Sequence, residues 1–280
     1  MKAAKNKRVK VSFWGVRGSV PSYDLKTKRY GGNTSCISLE FEGRYLICDA
    51  GTGIRSLGHK LAKKRISISL FISHLHWDHI FGLPFFEPIY QKGQKILVAG
   101  PTQKGVSFKK ELAYVLRAPY FPIGPRDWES HVQWKDLKQG SFKVDGVKVE
   151  SRWVNHPDGA LGFQFIFPNG KRIFYVTDHN LDKNNKKFFS WIKNADLLIH
   201  DSQFDKKEYA RKKDWGHSTY ETVVDFALKA NVKQLILFHH DPNTNDRQLE
   251  KRLKNCHKKI KSLKSKMKCF LAKEGLSLSV

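Results

Sequence analysis

The sequence is poor in cysteine, in acidic residues and in long apolar runs. Only four cysteines occur in 280 residues, Cys36, Cys48, Cys256 and Cys269, without metal-ligand spacing. They read as buried free thiols of a reducing, cytoplasmic setting. No apolar run approaches the roughly 18 residues that a membrane-spanning helix needs, so no membrane partner is expected. Residues 1–18 are basic but lack an apolar core and a small-residue cleavage site, so no secretory signal is expected. There is no internal repeat and no Gly/Ser-rich or Pro-rich linker. Acidic residues number 26 against 51 Lys and Arg, a formal charge of +25. Such an excess concentrates anions around the molecule. It suits a solvated basic surface, a phosphate-bearing substrate or nucleic acid. Charge alone does not separate a small nucleotide from RNA.

What is present is an ordinary globular composition, 40% hydrophobic and 12% aromatic, in a chain long enough for one large α/β domain. Strand-like segments fall at 9–14, 35–40, 45–48, 66–72 and 95–99, then at 142–154 and 161–176, the last broken by a Pro-Asn-Gly turn at 168–170. Further strands are expected at 196–199, 234–238, 269–272 and 276–280. Helices are expected at 53–63, 83–90, 183–193, 218–230 and 246–264. The fourth opens on Ser218-x-x-Glu221, the pattern of a capping box. Strands in each half with helices interleaved imply sheets sandwiched between helix layers. The whole chain, 1–280, reads as a single domain. Residues 103–130 fit least well. This aromatic, Pro-rich stretch reads as an insertion that caps a pocket, packs on a second subunit or stacks on a nucleobase.

The sharpest feature is Ser73-His74-Leu75-His76-Trp77-Asp78-His79, directly after the buried strand at 66–72. A strand end holds an imidazole rigidly enough to ligate a metal. His-x-His places two rings on one side of extended chain. Asp78 and His79 fall where the chain turns, free to face a second ion. Mixed imidazole and carboxylate donors suit zinc and similar divalent cations. Three more ligand types sit at predicted strand ends: His156, Asp178 and His239. Together they complete two sets, three His with a bridging carboxylate and Asp with two His and the same carboxylate. Asn33 and Thr34, beside Gly31 and Gly32, offer a phosphate or base contact in a turn where glycine lets the backbone come close.

His74-x-His76-x-Asp78-His79 with His156, Asp178 and His239 resembles the metallo-β-lactamase superfamily. Asp49-Ala50-Gly51-Thr52-Gly53 is similar to its early Asp-x-Gly turn. Asp201 in Ile199-His200-Asp201-Ser202 and His217 in Gly216-His217-Ser218 are similar to the tRNase Z-like branch. Residues 14–21, 29–36 and Phe238-His239-His240-Asp241-Pro242 resemble the bacterial and phage cyclic-nucleotide phosphodiesterases of that branch, including the anti-Pycsar enzymes. The resemblance implies an αββα sandwich with two divalent metal ions, zinc or manganese, at one edge. His74, His76 and His156 would hold the first ion. Asp78, His79 and His239 would hold the second, and Asp178 would bridge. Two such ions activate water for attack on phosphorus. Asp78 would also orient the nucleophile, and His217, held by Asp201, would protonate the leaving alkoxide.

The resemblance implies a phosphodiesterase of small nucleotides, 3′,5′-cyclic nucleotides foremost, acting as a homodimer. The alternatives are a tRNase Z-like RNA-processing endonuclease, a thioesterase, and a non-catalytic nucleic-acid-binding protein on the same scaffold.

Overall fold

Fourteen strands form two seven-stranded sheets in a computed structural model that describes residues 7–103, 105–182 and 184–280. The first sheet contains β1 (Lys10–Gly15), β2 (Cys36–Phe41), β3 (Arg44–Cys48), β4 (Ile68–Phe71), β5 (Lys95–Pro101) and β6 (His131–Leu137). The second contains β7 (Gly140–Val144), β8 (Val147–Val154), β9 (Ala160–Ile166), β10 (Arg172–Val176), β11 (Leu197–Asp201), β12 (Gln234–Phe238) and β13 (Lys268–Leu271). The last strand, β14 (Ser277–Ser279), returns to edge the first sheet beside β1. The orders are β14-β1-β2-β3-β4-β5-β6 and β13-β12-β11-β10-β9-β8-β7. From β3 to β6, and from β10 to β13, neighbours run parallel.

Among the described residues there are seven α-helices: α1 (Ile54–Leu61), α2 (Trp77–Ile80), α3 (Phe108–Val115), α4 (Lys186–Ile192), α5 (Lys206–Tyr209), α6 (Tyr220–Lys229) and α7 (Asp246–Ser262). Central strands bury both faces, so they are apolar throughout rather than alternating. On β12, Ile236 and Phe238 point between the sheets, while Leu235 and Leu237 point to the helices. Phe13, Phe71, Phe163, Phe165 and Tyr175 fill the space between the sheets. α1 and α3 cover the first sheet through Ile54, Leu57, Phe108 and Leu112. α4, α6 and α7 cover the second through Trp191, Val223, Val224 and Leu249. Four layers, helix–sheet–sheet–helix, result. All four cysteines are buried and free. Among the described residues no helix is long and apolar enough to cross a membrane.

Several local expectations are corrected. The cap of α6 is Thr219, whose hydroxyl accepts from Thr222 N–H. The Ser218 hydroxyl instead donates to the His179 carbonyl and accepts from Leu181 N–H. Residues 83–90 form two short 3₁₀ turns, Leu83–Phe85 and Glu87–Tyr90, each with a proline in its first turn. The strand expected over 142–154 is a hairpin, β7–β8, turning at Asp145 and Gly146. Residues 103–130 are more than an insertion: Phe108, Leu112, Leu116 and Trp128 belong to the core under the first sheet. Residues 1–6, Lys104 and Lys183, on which some expectations fell, lie outside the described residues.

Candidate metal centre

Strand ends assemble the site at one edge of the sandwich. The run His74–His79 follows β4, His156 follows β8, Asp178 follows β10 and His239 follows β12. In open α/β sheets ligands gather at the carboxyl ends of strands. Asp178 and His239 adopt left-handed backbone, φ 47° and 60°, as does Asp49 at the end of β3, φ 59°. Asp and His accept that conformation more readily than bulky or β-branched residues.

All seven expected ligands meet there, in two groups whose donor atoms lie within 4.8 Å of one another. One group is His74, His76, His156 and Asp178; the other is Asp78, His79, Asp178 and His239. Asp178 belongs to both. Its Oδ2 lies 3.5 Å from His74 Nε2 and 3.9 Å from His156 Nε2. Its Oδ1 lies 3.1 Å from both His79 Nε2 and His239 Nε2. Asp78 Oδ2 is 3.1 Å from the same two nitrogens. Four donors placed tetrahedrally at zinc-type bond lengths of about 2.0–2.1 Å stand roughly 3.3 Å apart. The spacing therefore fits divalent ions. The nitrogens His74 Nε2 and His79 Nε2 are buried without any hydrogen-bond partner, which an ion would supply.

The second nitrogen of each ring is committed, which fixes the tautomer. His79 Nδ1–H donates to Asp49 Oδ2 at 2.7 Å. Ser73 Oγ–H donates to the same carboxylate oxygen at 2.9 Å and so accepts from His74 Nδ1–H at 3.0 Å. Tyr175 O–H and Ser73 N–H donate to Asp49 as well, each at 2.7 Å. His156 Nδ1–H donates to the Gly216 carbonyl at 3.1 Å. His76 turns Nδ1 toward His156 Nε2, 3.3 Å away, while its Nε2–H meets Asp158 Oδ2 at 3.2 Å. His239 Nδ1–H donates to Gln203 Oε1 at 2.9 Å. Asp49, Asp158 and Gln203 had no assigned role in the sequence. Asp49 gave a signal in its Asp-x-Gly turn; Gln203 gave none.

Electrostatics favours cation binding. Burial drives His74 and His156 below the usual imidazole range, so both rings are neutral donors. Burial pushes Asp178 and Asp78 upward, but the surrounding imidazoles outweigh it and hold both well below the usual carboxylate range. Burial lowers His79, yet Asp78, Asp178 and Asp49 outweigh it and raise its pKa well above normal. That spot calls for positive charge, which a divalent ion supplies better than a proton.

His217 and Asp201 join the cluster. His217 Nδ1–H donates to Asp201 Oδ2 at 3.0 Å. Its ring centroid lies 5.1 Å from that of His239 and 5.6 Å from that of His156, beside both ligand groups. Burial lowers its pKa, but Asp201 outweighs this and raises it to about 9. Asn33 and Thr34 hold the glycine-rich loop in place. Thr34 is fully buried, and its hydroxyl accepts from Thr52 N–H at 2.8 Å. Asn33 Nδ2 donates to Glu274 at 2.9 Å and its Oδ1 accepts from the Thr52 hydroxyl at 3.1 Å. Both tie the glycine-rich loop to the Asp-x-Gly turn. His240, the neighbour that competes with His239 in sequence, points away and donates Nε2–H to the Ala272 carbonyl.

An aromatic cavity of about 380 Å³ is walled by Trp77, Phe81, Tyr114, Tyr120 and Phe121. Trp77 sits between His76 and Asp78 in the sequence, and the tyrosines come from the 103–130 segment.

The chain matches the model of the beta-lactamase superfamily domain over residues 44–240. It is 26% identical to ribonuclease Z of Archaeoglobus fulgidus over 288 aligned residues, covering 82% of this chain and 86% of that protein. It superposes on a diphosphatase of the PhnP family with TM-score 0.72 and 16% identity, covering 97% of each chain. Yeast PDE1 superposes with TM-score 0.72 and 12% identity, covering 98% of this chain and all (100%) of that one. With this match and the αββα architecture, the chain belongs to the metallo-β-lactamase superfamily and has the fold of its hydrolases.

Proposed function

We propose that this protein is a two-metal phosphodiesterase of small nucleotides, with 3′,5′-cyclic nucleotides the foremost substrates. The observation that carries the reading is Asp178, whose two oxygens face two separate ligand groups at 3.1–3.9 Å. His74, His76 and His156 would hold one divalent ion, zinc or manganese, and Asp78, His79 and His239 the other. Bound together, two such ions supply Lewis acidity to phosphate oxygens and an acidified water. The chain's own residues do the rest. His217 carries its transferable proton on Nε2, because Nδ1 is tied to Asp201. A pKa raised to about 9 keeps that proton in place at neutral pH. Delivered to the leaving alkoxide, it completes cleavage of the phosphorus–oxygen bond. The aromatic cavity offers stacking faces for a base.

A second reading, an RNA-processing endonuclease, is favoured by the ribonuclease Z relative and by the charge of +25. Against it stands the 103–130 segment, which is short and aromatic and is anchored in the core by Phe108, Leu112, Leu116 and Trp128 rather than forming a long basic arm. A substrate panel separates these readings. Purified protein with zinc or manganese is offered cyclic mononucleotides, cyclic dinucleotides, a precursor tRNA and a thioester. Cleavage of a cyclic nucleotide with little salt dependence supports the first reading. Cleavage of precursor tRNA that weakens steeply with salt supports the second. Inertness toward every phosphodiester rejects both.

A further inference from the structure

A cluster histidine needs an acceptor on its far nitrogen. For His79 that acceptor is a carboxylate and for His156 a backbone carbonyl, but for His239 it is a neutral side-chain amide. Gln203 is 1% exposed, so no solvent competes for this amide. Its other end, Nε2, donates to Ser19 Oγ at 3.3 Å. Ser19 in turn donates its backbone N–H to Asp78 Oδ2 at 2.7 Å. One side chain therefore links His239 and Asp78, two ligands that the second group does not share with the first. Gln203 is itself pinned. Its N–H donates to Asp201 Oδ1 at 2.9 Å, and its carbonyl accepts from Arg252 of α7 at 3.0 Å.

We propose that Gln203 is a positioning residue for the second ion. It holds His239 with the proton on Nδ1, so that Nε2 faces the site. Through Ser19 it also holds the Asp78 carboxylate in place. The first group takes its orientation elsewhere, from Ser73, Asp158 and the Gly216 carbonyl. Gln203 thus acts on the affinity of one ion and leaves the other alone. The inference rests on the two-ion reading of the site.

The test is zinc binding by the full chain at controlled free zinc, with ¹⁵N NMR of the His239 ring. Wild type is expected to hold two zinc ions with His239 protonated on Nδ1. Gln203→Leu removes acceptor and donor at nearly constant volume. It should weaken the second ion by about 10–100-fold, the usual effect of losing such a partner, with the first unchanged and the ring tautomer mixed. Gln203→Glu restores an acceptor and should regain the second ion. Should Gln203→Leu not fold, Ser19→Gly keeps the backbone N–H on Asp78 but deletes the hydroxyl that Gln203 grips. It should weaken the second ion less, again sparing the first. Wild-type affinities in Gln203→Leu or in Ser19→Gly overturn the proposal, as does equal loss in Gln203→Leu and Gln203→Glu. A wild-type chain that takes up no zinc rejects the two-ion reading as well.

Discussion

A methyl group on Gly18 would stand 2.3 Å from Cε1 of the His239 imidazole, well inside contact distance. The loop cannot retreat easily, because Gly18 N–H donates to the His240 carbonyl and His240 N–H donates to the Val16 carbonyl, at 3.0 and 2.9 Å. Gly18→Ala should therefore displace the His239 ring or the loop, at about 1–3 kcal/mol, the usual range for overpacking. Thermal melts should show the loss and zinc titration a weakened second ion. A variant with unchanged melting and two tightly held ions would contradict the packing described.

Asp178→Asn keeps the shape and the tolerance for left-handed backbone but removes the charge between the two groups. Metal content should fall below two per chain, and turnover of the best substrate should fall roughly 100-fold or more. Elemental analysis beside a rate measurement checks this. Retention of both ions and full turnover would remove Asp178 from the bridging position.

His217→Gln should slow cleavage about 10²–10⁴-fold for an alkoxide leaving group, the usual yield of general acid catalysis. A nitrophenolate, which needs no proton, should be affected far less. The proton on His217 exists below its folded pKa, so wild-type activity should decline as pH rises through about 9. The variant should lack that limb. Equal losses on both leaving groups would demote His217 to a packing role.

Trp77→Ala and Tyr120→Ala open the aromatic cavity, where both side chains are exposed at 72% and 67%. Stacking is worth about 1–3 kcal/mol per base, so KM for a nucleotide should rise about 5- to 150-fold. The corresponding base-free sugar phosphate should be hydrolysed as before. If both substrates respond alike, the cavity does not hold the base.

Burial, aided by Arg17, lowers the pKa of His240 from 6.5 to about 3. The unfolded chain binds this proton below about 6.5 and the folded chain does not. Stability should therefore drop as pH falls through that window, by up to about 1.4 kcal/mol per pH unit. Buried His179 and His200, whose pKa values burial also lowers, act in the same direction. His240→Gln keeps a donor for the Ala272 carbonyl and cannot titrate. Its acid unfolding midpoint, followed by circular dichroism, should lie at lower pH than that of wild type.

The side chains that meet in the cluster were legible in the sequence because most follow a recognisable local pattern. His74, His76, Asp78 and His79 lie within six residues directly after an apolar strand, and His156, Asp178 and His239 stand just past the ends of other strands. Gln203 and Asp158 follow no such pattern. Gln203 meets His239 36 residues away and Ser19 184 residues away, so their meeting depends on how strands pair across the fold. Ser218-x-x-Glu221 misled for the converse reason. The local pattern was complete, but the His179 carbonyl and Leu181 N–H claimed the hydroxyl first. Strand β6 escaped because His131–Leu137 is a partly exposed edge strand that carries charges where a central strand is apolar.

His74 to His79 hang from one sheet, while His156, Asp178 and His239 hang from the other. Metal ions gripped by both would rivet the two halves of the sandwich at this rim, joining chain segments that otherwise meet mainly through greasy contacts. Neither half could hold its full complement of donors alone, so each ion can seat only after the halves have closed on one another. Chelation should therefore cost this protein its mechanical seam as well as its chemistry, and heat should part the sheets first at the edge where the ions were.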